Sequence, residues 1–213
     1  MNRRLPVYLL LDTSGSMKGE PIQAVNVGLQ SLVSSLRQDP YALDSVHIAI
    51  VTFDREVNEV MPLTELPMLH LPTIGTPDSG PTHLGMALEK LNDILKRDII
   101  KTTASQKGDW APLLFIMTDG KPSDLMKYRE MIPVLKNQRF GNIIACGAGP
   151  KARSEYLREL TENVAMLDNC DSSTFQTYFK WVSDTIQEGS RSAGVTAESL
   201  ELPPPPKEVN IVL

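Results

Sequence analysis

The sequence places a carboxylate and two hydroxyls on one short turn directly after an apolar stretch. The turn spans residues 12–16, and its candidate ligands are Asp12, Ser14 and Ser16. Gly15 permits a sharp turn, and the two serines, two positions apart, can direct their hydroxyl oxygens to one point. Oxygen ligands favour Mg²⁺, Mn²⁺ or Ca²⁺ over zinc or copper. The turn therefore predicts part of a site for a hard divalent cation.

Two further oxygen-bearing residues lie at comparable places later in the chain. Thr82 closes a stretch rich in proline, threonine and glycine, just before a helical pattern begins. Asp119 follows the apolar run of residues 111–117. Each is a candidate ligand for the same ion if the fold brings the three segments together.

Apolar runs and helical periodicities alternate along the sequence. Strands are predicted at residues 6–11, 46–53, 57–61, 111–117, 140–146 and 164–167, and helices at residues 21–36, 84–101, 124–137, 152–161 and 172–188. Asp39 and Pro40 are predicted to stop the first helical pattern. Residues 62–82 are predicted as a long loop. Several strands are apolar throughout, which is typical of a parallel sheet covered on both faces. We therefore expect an α/β fold with a doubly wound, mostly parallel sheet, helices on both faces and one short antiparallel edge strand.

This fold class has a consequence for the candidate ligands. Ligands of such sheets bind beyond the carboxyl ends of the strands. Asp12 and Asp119 both follow predicted strands, and Thr82 ends a loop before a helix. We therefore expect the three segments to meet at one rim of the sheet.

Composition excludes two classes of partner. The chain has 213 residues and a formal net charge of −5, without the cluster of lysine and arginine that phosphate binding requires. No stretch reaches the roughly 18 apolar residues of a membrane helix. The apolar run near the N-terminus is too short for a signal peptide and lacks a cleavage site. We expect a cytoplasmic protein that binds neither nucleic acid nor membrane.

The last part of the sequence differs in composition from the rest. We predict one domain over residues 1–188 and a tail over residues 189–213, which contains four consecutive prolines at 203–206. Val209, Ile211 and Leu213 alternate after them, as in a strand that adds to a sheet edge. The tail is a disordered terminus, a strap on its own domain or a docking segment for a partner.

The motifs that carry a family resemblance occur in order along the chain: Asp12-Thr13-Ser14-Gly15-Ser16, Thr82, and Thr118-Asp119-Gly120. Together they resemble the von Willebrand factor A (VWA) domain with its metal-ion-dependent adhesion site (MIDAS), over about residues 5–188. The resemblance implies that Ser14, Ser16 and Thr82 supply hydroxyl oxygens to the metal. It implies that Asp12 and Asp119 hold the metal directly or through waters.

A first shell with several neutral hydroxyls leaves a Mg²⁺ ion short of negative charge. An Asp or Glu carboxylate from a protein partner then completes it. We therefore expect Mg²⁺, with Mn²⁺ or Ca²⁺ as alternatives, and a non-enzymatic, metal-dependent protein interaction.

Within the family, the sequence resembles a bacterial subgroup, the TerY-type proteins of tellurium-resistance gene clusters. The phrases that fit are PVYLLLDTSGSMKGEPI, SGPTHLGMAL and MTDGKPSD. The likeness implies a cytoplasmic protein of a tellurite or stress-resistance system, with a protein kinase and a metal-dependent protein phosphatase as partners.

Three alternatives remain open at this stage. Asp12, Ser14 and Ser16 are also residues that cap turns without any metal. A Mg²⁺-dependent phosphatase of the haloacid dehalogenase type also has an aspartate after its first strand, but the general acid expected two residues later is here Ser14. A scaffold that recruits partners through its tail would need no metal.

Overall fold

A computed structural model describes residues 3–78, 80–192 and 202–212. Within them, seven strands form one sheet: β1 (Leu5–Asp12), β2 (Val46–Phe53), β3 (Val57–Glu65), β4 (Leu113–Thr118), β5 (Asn142–Ala148), β6 (Asn163–Leu167) and β7 (Asn210–Val212). The strand order is β3-β2-β1-β4-β5-β6-β7. β1, β2, β4, β5 and β6 run parallel, and β3 and β7 are antiparallel edge strands. The predicted mostly parallel sheet is confirmed.

Helices cover both faces of this sheet. They are α1 (Glu20–Leu36), α2 (Pro40–Ser45), α3 (Leu84–Asp98), α4 (Leu125–Lys136), α5 (Ser154–Leu160) and α6 (Ser172–Ser192). Leu9 and Leu11 of β1 are buried in the same core as α1 and α6, whereas Tyr8 and Leu10 are buried with α3, α4 and α5. Successive residues of a strand point to opposite faces, so an apolar run buries both sides at once. This arrangement confirms the doubly wound fold.

No helix among the described residues is long and apolar enough to cross a membrane.

The largest differences between the observed and the predicted elements occur in three places. Residues 40–45 form α2, whereas the sequence pattern was interpreted as a stop at Asp39 and Pro40. Asp39 in fact caps this helix by accepting from the amides of Tyr41 and Ala42, and Pro40 suits the first helical position. β3 continues to Glu65, into the predicted loop, and α6 continues past residue 188 to Ser192.

The end of the chain adds a second antiparallel edge strand. β7 pairs with β6, Val209 is buried, and the Trp181 Nε1–H of α6 donates to the carbonyl of Pro203 at 2.9 Å. Residues 202–212 thus lie against the chain's own sheet and helix, which is the strap arrangement. Leu213, the last residue of the predicted alternation, lies outside the described residues.

The strand order reverses between β1 and β4. The chain proceeds from β1 to β2 on one side and from β4 to β5 and β6 on the other. At such a reversal the loops after the two central strands diverge to opposite faces and leave a crevice at the carboxyl ends. The residues that follow β1 and β4 are those at the mouth of this crevice.

Candidate metal centre

Asp12 is the last residue of β1, and its side chain is almost completely buried, at 1% exposed. Its Oδ1 accepts from the backbone amide of Ser14 at 2.7 Å, and its Oδ2 accepts from the Thr118 hydroxyl at 2.5 Å. Burial raises the pKa of Asp12 to about 6, although hydrogen bonds from Ser14 and Thr118 oppose that rise. Asp12 is therefore a buried carboxylate that only neutral groups stabilise.

A short chain of polar contacts links the turn after β1 to the residue after β4. The Ser14 and Ser16 hydroxyl oxygens lie 3.3 Å apart, and the Ser16 hydroxyl donates to Asp119 Oδ1 at 2.8 Å. Burial raises the pKa of Asp119, while the Ser16 hydroxyl and the charge of Lys151 oppose the rise. Two carboxylates and two hydroxyls therefore lie within one cluster.

Thr82 reaches the same cluster from the loop before α3. It is 7% exposed, and a Cβ atom added to Gly120 would lie 3.3 Å from the Thr82 hydroxyl oxygen. The neighbouring loop also contacts the first turn, because the Gly15 amide donates to the Gly80 carbonyl at 3.4 Å. The absence of a side chain at Gly120 leaves room for Thr82 beside Asp119.

The structure thus gathers all three segments at the rim where β1 and β4 end. It places the five predicted ligands there: Asp12, Ser14, Ser16, Thr82 and Asp119. Their role as metal ligands stays a prediction.

Comparison with known proteins decides the family. The sequence model of the von Willebrand factor type A domain matches residues 7–183. The chain belongs to this family. Comparison of this VWA domain with curated proteins gave no match.

Solved structures share the fold of this VWA domain at low sequence identity. Proximal thread matrix protein 1 from the mussel byssus, crystal form 2, is 19% identical, with a TM-score of 0.63 over 86% of this chain and 48% of its own. A von Willebrand factor type A protein from Catenulispora acidiphila is 16% identical, with a TM-score of 0.65 over 88% of this chain and 44% of its own.

A further structure of the mussel protein is described as having a zinc-occupied MIDAS motif. It is 16% identical, with a TM-score of 0.59 over 85% of this chain and 46% of its own. The VWA domain described here spans less than half the length of these proteins. Because the sequence identities are below 20%, these comparisons show a shared fold and nothing more specific.

The donor set of this VWA domain fits a hard divalent cation. In the described part of the chain no lysine, arginine or histidine forms an ion pair with Asp12 or Asp119. Within residues 3–78, 80–192 and 202–212, no group of three or more His, Cys, Asp or Glu side chains is arranged so that it could hold a metal ion. Two carboxylates with neighbouring hydroxyls suit an ion such as Mg²⁺, which keeps several waters. They do not provide the nitrogen and sulfur ligands typical of zinc.

The structure also shows rim residues that the motif analysis left without a role. The Thr118 hydroxyl donates a hydrogen bond to the Asp12 carboxylate. Asp54, just after β2, accepts from the Thr13 hydroxyl at 2.9 Å and from the Glu56 amide at 3.0 Å. It therefore links the turn that follows β1 to the turn that follows β2. A polar residue directly after a predicted buried strand was the available signal in both cases.

Proposed function

We propose that this VWA domain is a protein-interaction module that binds a divalent cation through Asp12, Ser14, Ser16, Thr82 and Asp119. The observation that carries the proposal is the convergence of three distant segments on one buried polar cluster. The Ser16 to Asp119 and Thr118 to Asp12 hydrogen bonds join the first and last segments. Turn capping accounts for each segment alone but not for their convergence.

The two kinds of ligand have different tasks in this proposal. Asp12 and Asp119 provide the negative charge, and burial makes that charge costly, because Asp12 is stabilised by neutral donors and Asp119 by the Ser16 hydroxyl and the charge of Lys151 without an ion pair among the described residues. The hydroxyls of Ser14, Ser16 and Thr82 add neutral oxygens. A bound cation supplies Lewis acidity toward an oxygen ligand from outside the domain.

The ligand that best suits the remaining positions is a carboxylate of another protein. A hard cation has about six ligand positions, and neutral hydroxyls and waters would fill most of them here, so a carboxylate oxygen would be a stronger ligand than water at an open position. An Asp or Glu side chain of a partner would replace such a water. Binding of such a partner would therefore require the metal.

The proposed role is not catalytic. In a phosphatase of the haloacid dehalogenase type, a second aspartate would stand at position 14 as general acid. Here the residue is serine, and its hydroxyl oxygen lies 3.3 Å from that of Ser16. Hydrolysis of p-nitrophenyl phosphate by the pure protein, abolished by Asp12→Asn, would reverse this assignment.

Finer details of the proposal rest on the sequence resemblance. They are Mg²⁺ as the ion, with Mn²⁺ or Ca²⁺ as alternatives, a cytoplasmic place in a TerY-type tellurite or stress-resistance system, and a protein kinase and a metal-dependent protein phosphatase as partners. The phrases that support the subgroup lie at the three site segments. Direct binding assays with such a kinase and phosphatase, each in Mg²⁺ and in EDTA, test these partners.

The function is tested by affinity capture with the wild-type domain, Asp12→Ala and Thr82→Val. We expect partners that bind the wild type in Mg²⁺ and are lost both in EDTA and with either variant. Capture of the same partners in EDTA and with both variants would contradict a metal-dependent role.

A further inference from the structure

Four hydrogen bonds join the segment that follows β4 to the segment that carries Thr82. The Ser123 amide donates to the Thr82 carbonyl at 2.8 Å, and the Thr82 amide donates to the Ser123 hydroxyl oxygen at 3.1 Å. The Asp124 carboxylate accepts from the amide of Gly85 at 3.0 Å and from that of Met86 at 2.8 Å. Thr82 and the first turn of α3 are therefore held by two residues that lie about 40 positions further along the chain.

The Asp124 side chain caps the neighbouring helix α3 rather than α4, the helix that it precedes. It stands at the N-cap position of α4 but makes no side-chain cap bond there. His83, at the N-cap position of α3, also makes no side-chain cap bond. The first amides of a helix have no partner within the helix and need an acceptor from elsewhere. For α3 the Asp124 carboxylate is that acceptor.

Close contact between α3 and α4 makes this arrangement possible. A Cβ atom added to Gly85 would lie 2.3 Å from the backbone nitrogen of Tyr128 in α4, a distance that no side chain tolerates. Glycine at this position therefore allows the start of α3 to approach α4. That approach brings the α3 amides within reach of Asp124.

We propose that Ser123 and Asp124 are positioning residues that fix the Thr82 hydroxyl and thereby set the selectivity of the site among divalent cations. The inference rests on the proposed metal-binding function. Mg²⁺ demands a narrow, near-octahedral geometry, whereas Ca²⁺ accepts variable distances and ligand numbers. Loosening Thr82 should therefore weaken Mg²⁺ binding more than Ca²⁺ binding.

The test measures Mg²⁺ and Ca²⁺ affinity of the full chain by isothermal titration for the wild type, Ser123→Ala and Asp124→Asn. Loss of outer hydrogen bonds to a ligand typically costs about 10- to 100-fold in metal affinity. We expect a loss in that range for Mg²⁺ and a smaller loss for Ca²⁺, so the ratio of the two affinities falls. Ser123→Thr keeps the hydroxyl and should restore the ratio.

Asp39→Asn is the matched control. Asp39 caps α2 as Asp124 caps α3, accepting from two amides at 2.9 and 3.0 Å, but α2 directly precedes β2 and therefore lies at the amino end of that strand, whereas the site lies at the carboxyl ends. This variant should lower the unfolding temperature without altering the affinity ratio. A ratio that falls equally in Asp39→Asn would show that general destabilisation causes the effect, and would overturn the inference.

A double-mutant cycle shows whether Ser123 acts through Thr82. If it does, Ser123→Ala should cost little further Mg²⁺ affinity in a Thr82→Val background, because the ligand that it positions is already gone. Equal losses in both backgrounds would overturn the positioning role. Hydrogen exchange of metal-free protein should also be faster at residues 82–86 in Ser123→Ala and Asp124→Asn.

The outcomes separate this inference from the proposed function. Normal Mg²⁺ binding by the wild type with an unchanged affinity ratio in both variants would overturn only the positioning role. Absence of saturable binding by the wild type would overturn the metal site itself and, with it, any positioning of its ligand.

Discussion

Substitution of Asp12 by asparagine should make the metal-free protein less sensitive to rising pH. The side chain keeps its shape but cannot ionise. One of the two hydrogen bonds that Asp12 accepts, from the Ser14 amide or the Thr118 hydroxyl, must rearrange. That local cost does not depend on pH, so the informative quantity is how the stability difference between variant and wild type changes with pH.

The expected magnitude follows from the pKa of Asp12, which is 3.8 ordinarily and about 6 in the folded protein. Because the folded pKa is raised, the folded state retains a proton that the unfolded state releases. This contribution to stability is fully present below the unfolded pKa and is lost as pH rises through about 6. Each pKa unit corresponds to roughly 1.4 kcal/mol. The wild type should therefore lose roughly 2 to 3 kcal/mol relative to Asp12→Asn between about pH 4 and about pH 8.

Urea unfolding of both proteins after metal removal, at several pH values in this range, measures the difference. Asp119 raises the pKa of Asp12 through its charge, and the same repulsion is relieved in the variant, which shifts the result in the same direction. A stability difference that stays flat with pH, or moves in favour of the wild type at high pH, would contradict a raised pKa of Asp12 in the folded protein. Saturating Mg²⁺ should restore stability to the wild type and not to the variant.

Three further predictions concern the core, a partly buried ion pair and the metal. Gly28→Ala should lower the free energy of unfolding by about 1 to 3 kcal/mol, because the added Cβ would lie 2.1 Å from Phe179 Cδ2; an unchanged unfolding temperature would contradict the packing of α1 against α6. Burial alone would raise the pKa of Asp39, but the Ala42 amide and the Arg191 guanidinium outweigh it and lower that pKa. The stability that the ionised Asp39 contributes is present above its pKa in the unfolded chain and is lost as pH falls through its lower pKa in the folded protein. The loss of unfolding free energy in Asp39→Asn, measured by urea unfolding, should therefore shrink below about pH 4. A deficit that grows on acidification would contradict this sign. Mg²⁺ at about 100 times its Kd should add about 2.7 kcal/mol to the free energy of unfolding of the wild type; thermal unfolding at constant pH with and without the ion tests this, and equal transitions would count against binding.

The central part of the fold could be predicted because burial on both faces leaves a direct signal in the sequence. A strand such as β1 is apolar at every position before Asp12, and its eight residues suit a buried strand rather than a helix. Residues 40–45 were missed because six residues are too few to show helical periodicity. The extension of β3 was missed because its burial alternates irregularly, so its residues resemble those of a loop.

The candidate ligands could be predicted from residue chemistry and from their places after strands. The residues that hold Thr82 could not. Ser123 and Asp124 act on a segment about 40 positions away, and no local pattern reveals that contact. In the sequence they are simply polar residues before a helix, where serine and aspartate are common. Only the packing of α3 against α4 shows which helix Asp124 caps.

The most direct test of the metal site is isothermal titration of chelator-treated protein with Mg²⁺, Mn²⁺ and Ca²⁺, for the wild type, Asp12→Ala and Thr82→Val. Thr82→Val removes one hydroxyl at nearly constant shape and therefore tests the contribution of the loop before α3. We expect saturable binding at a single site that both variants weaken. No binding by the wild type, or binding that neither variant alters, would contradict a metal site at these residues.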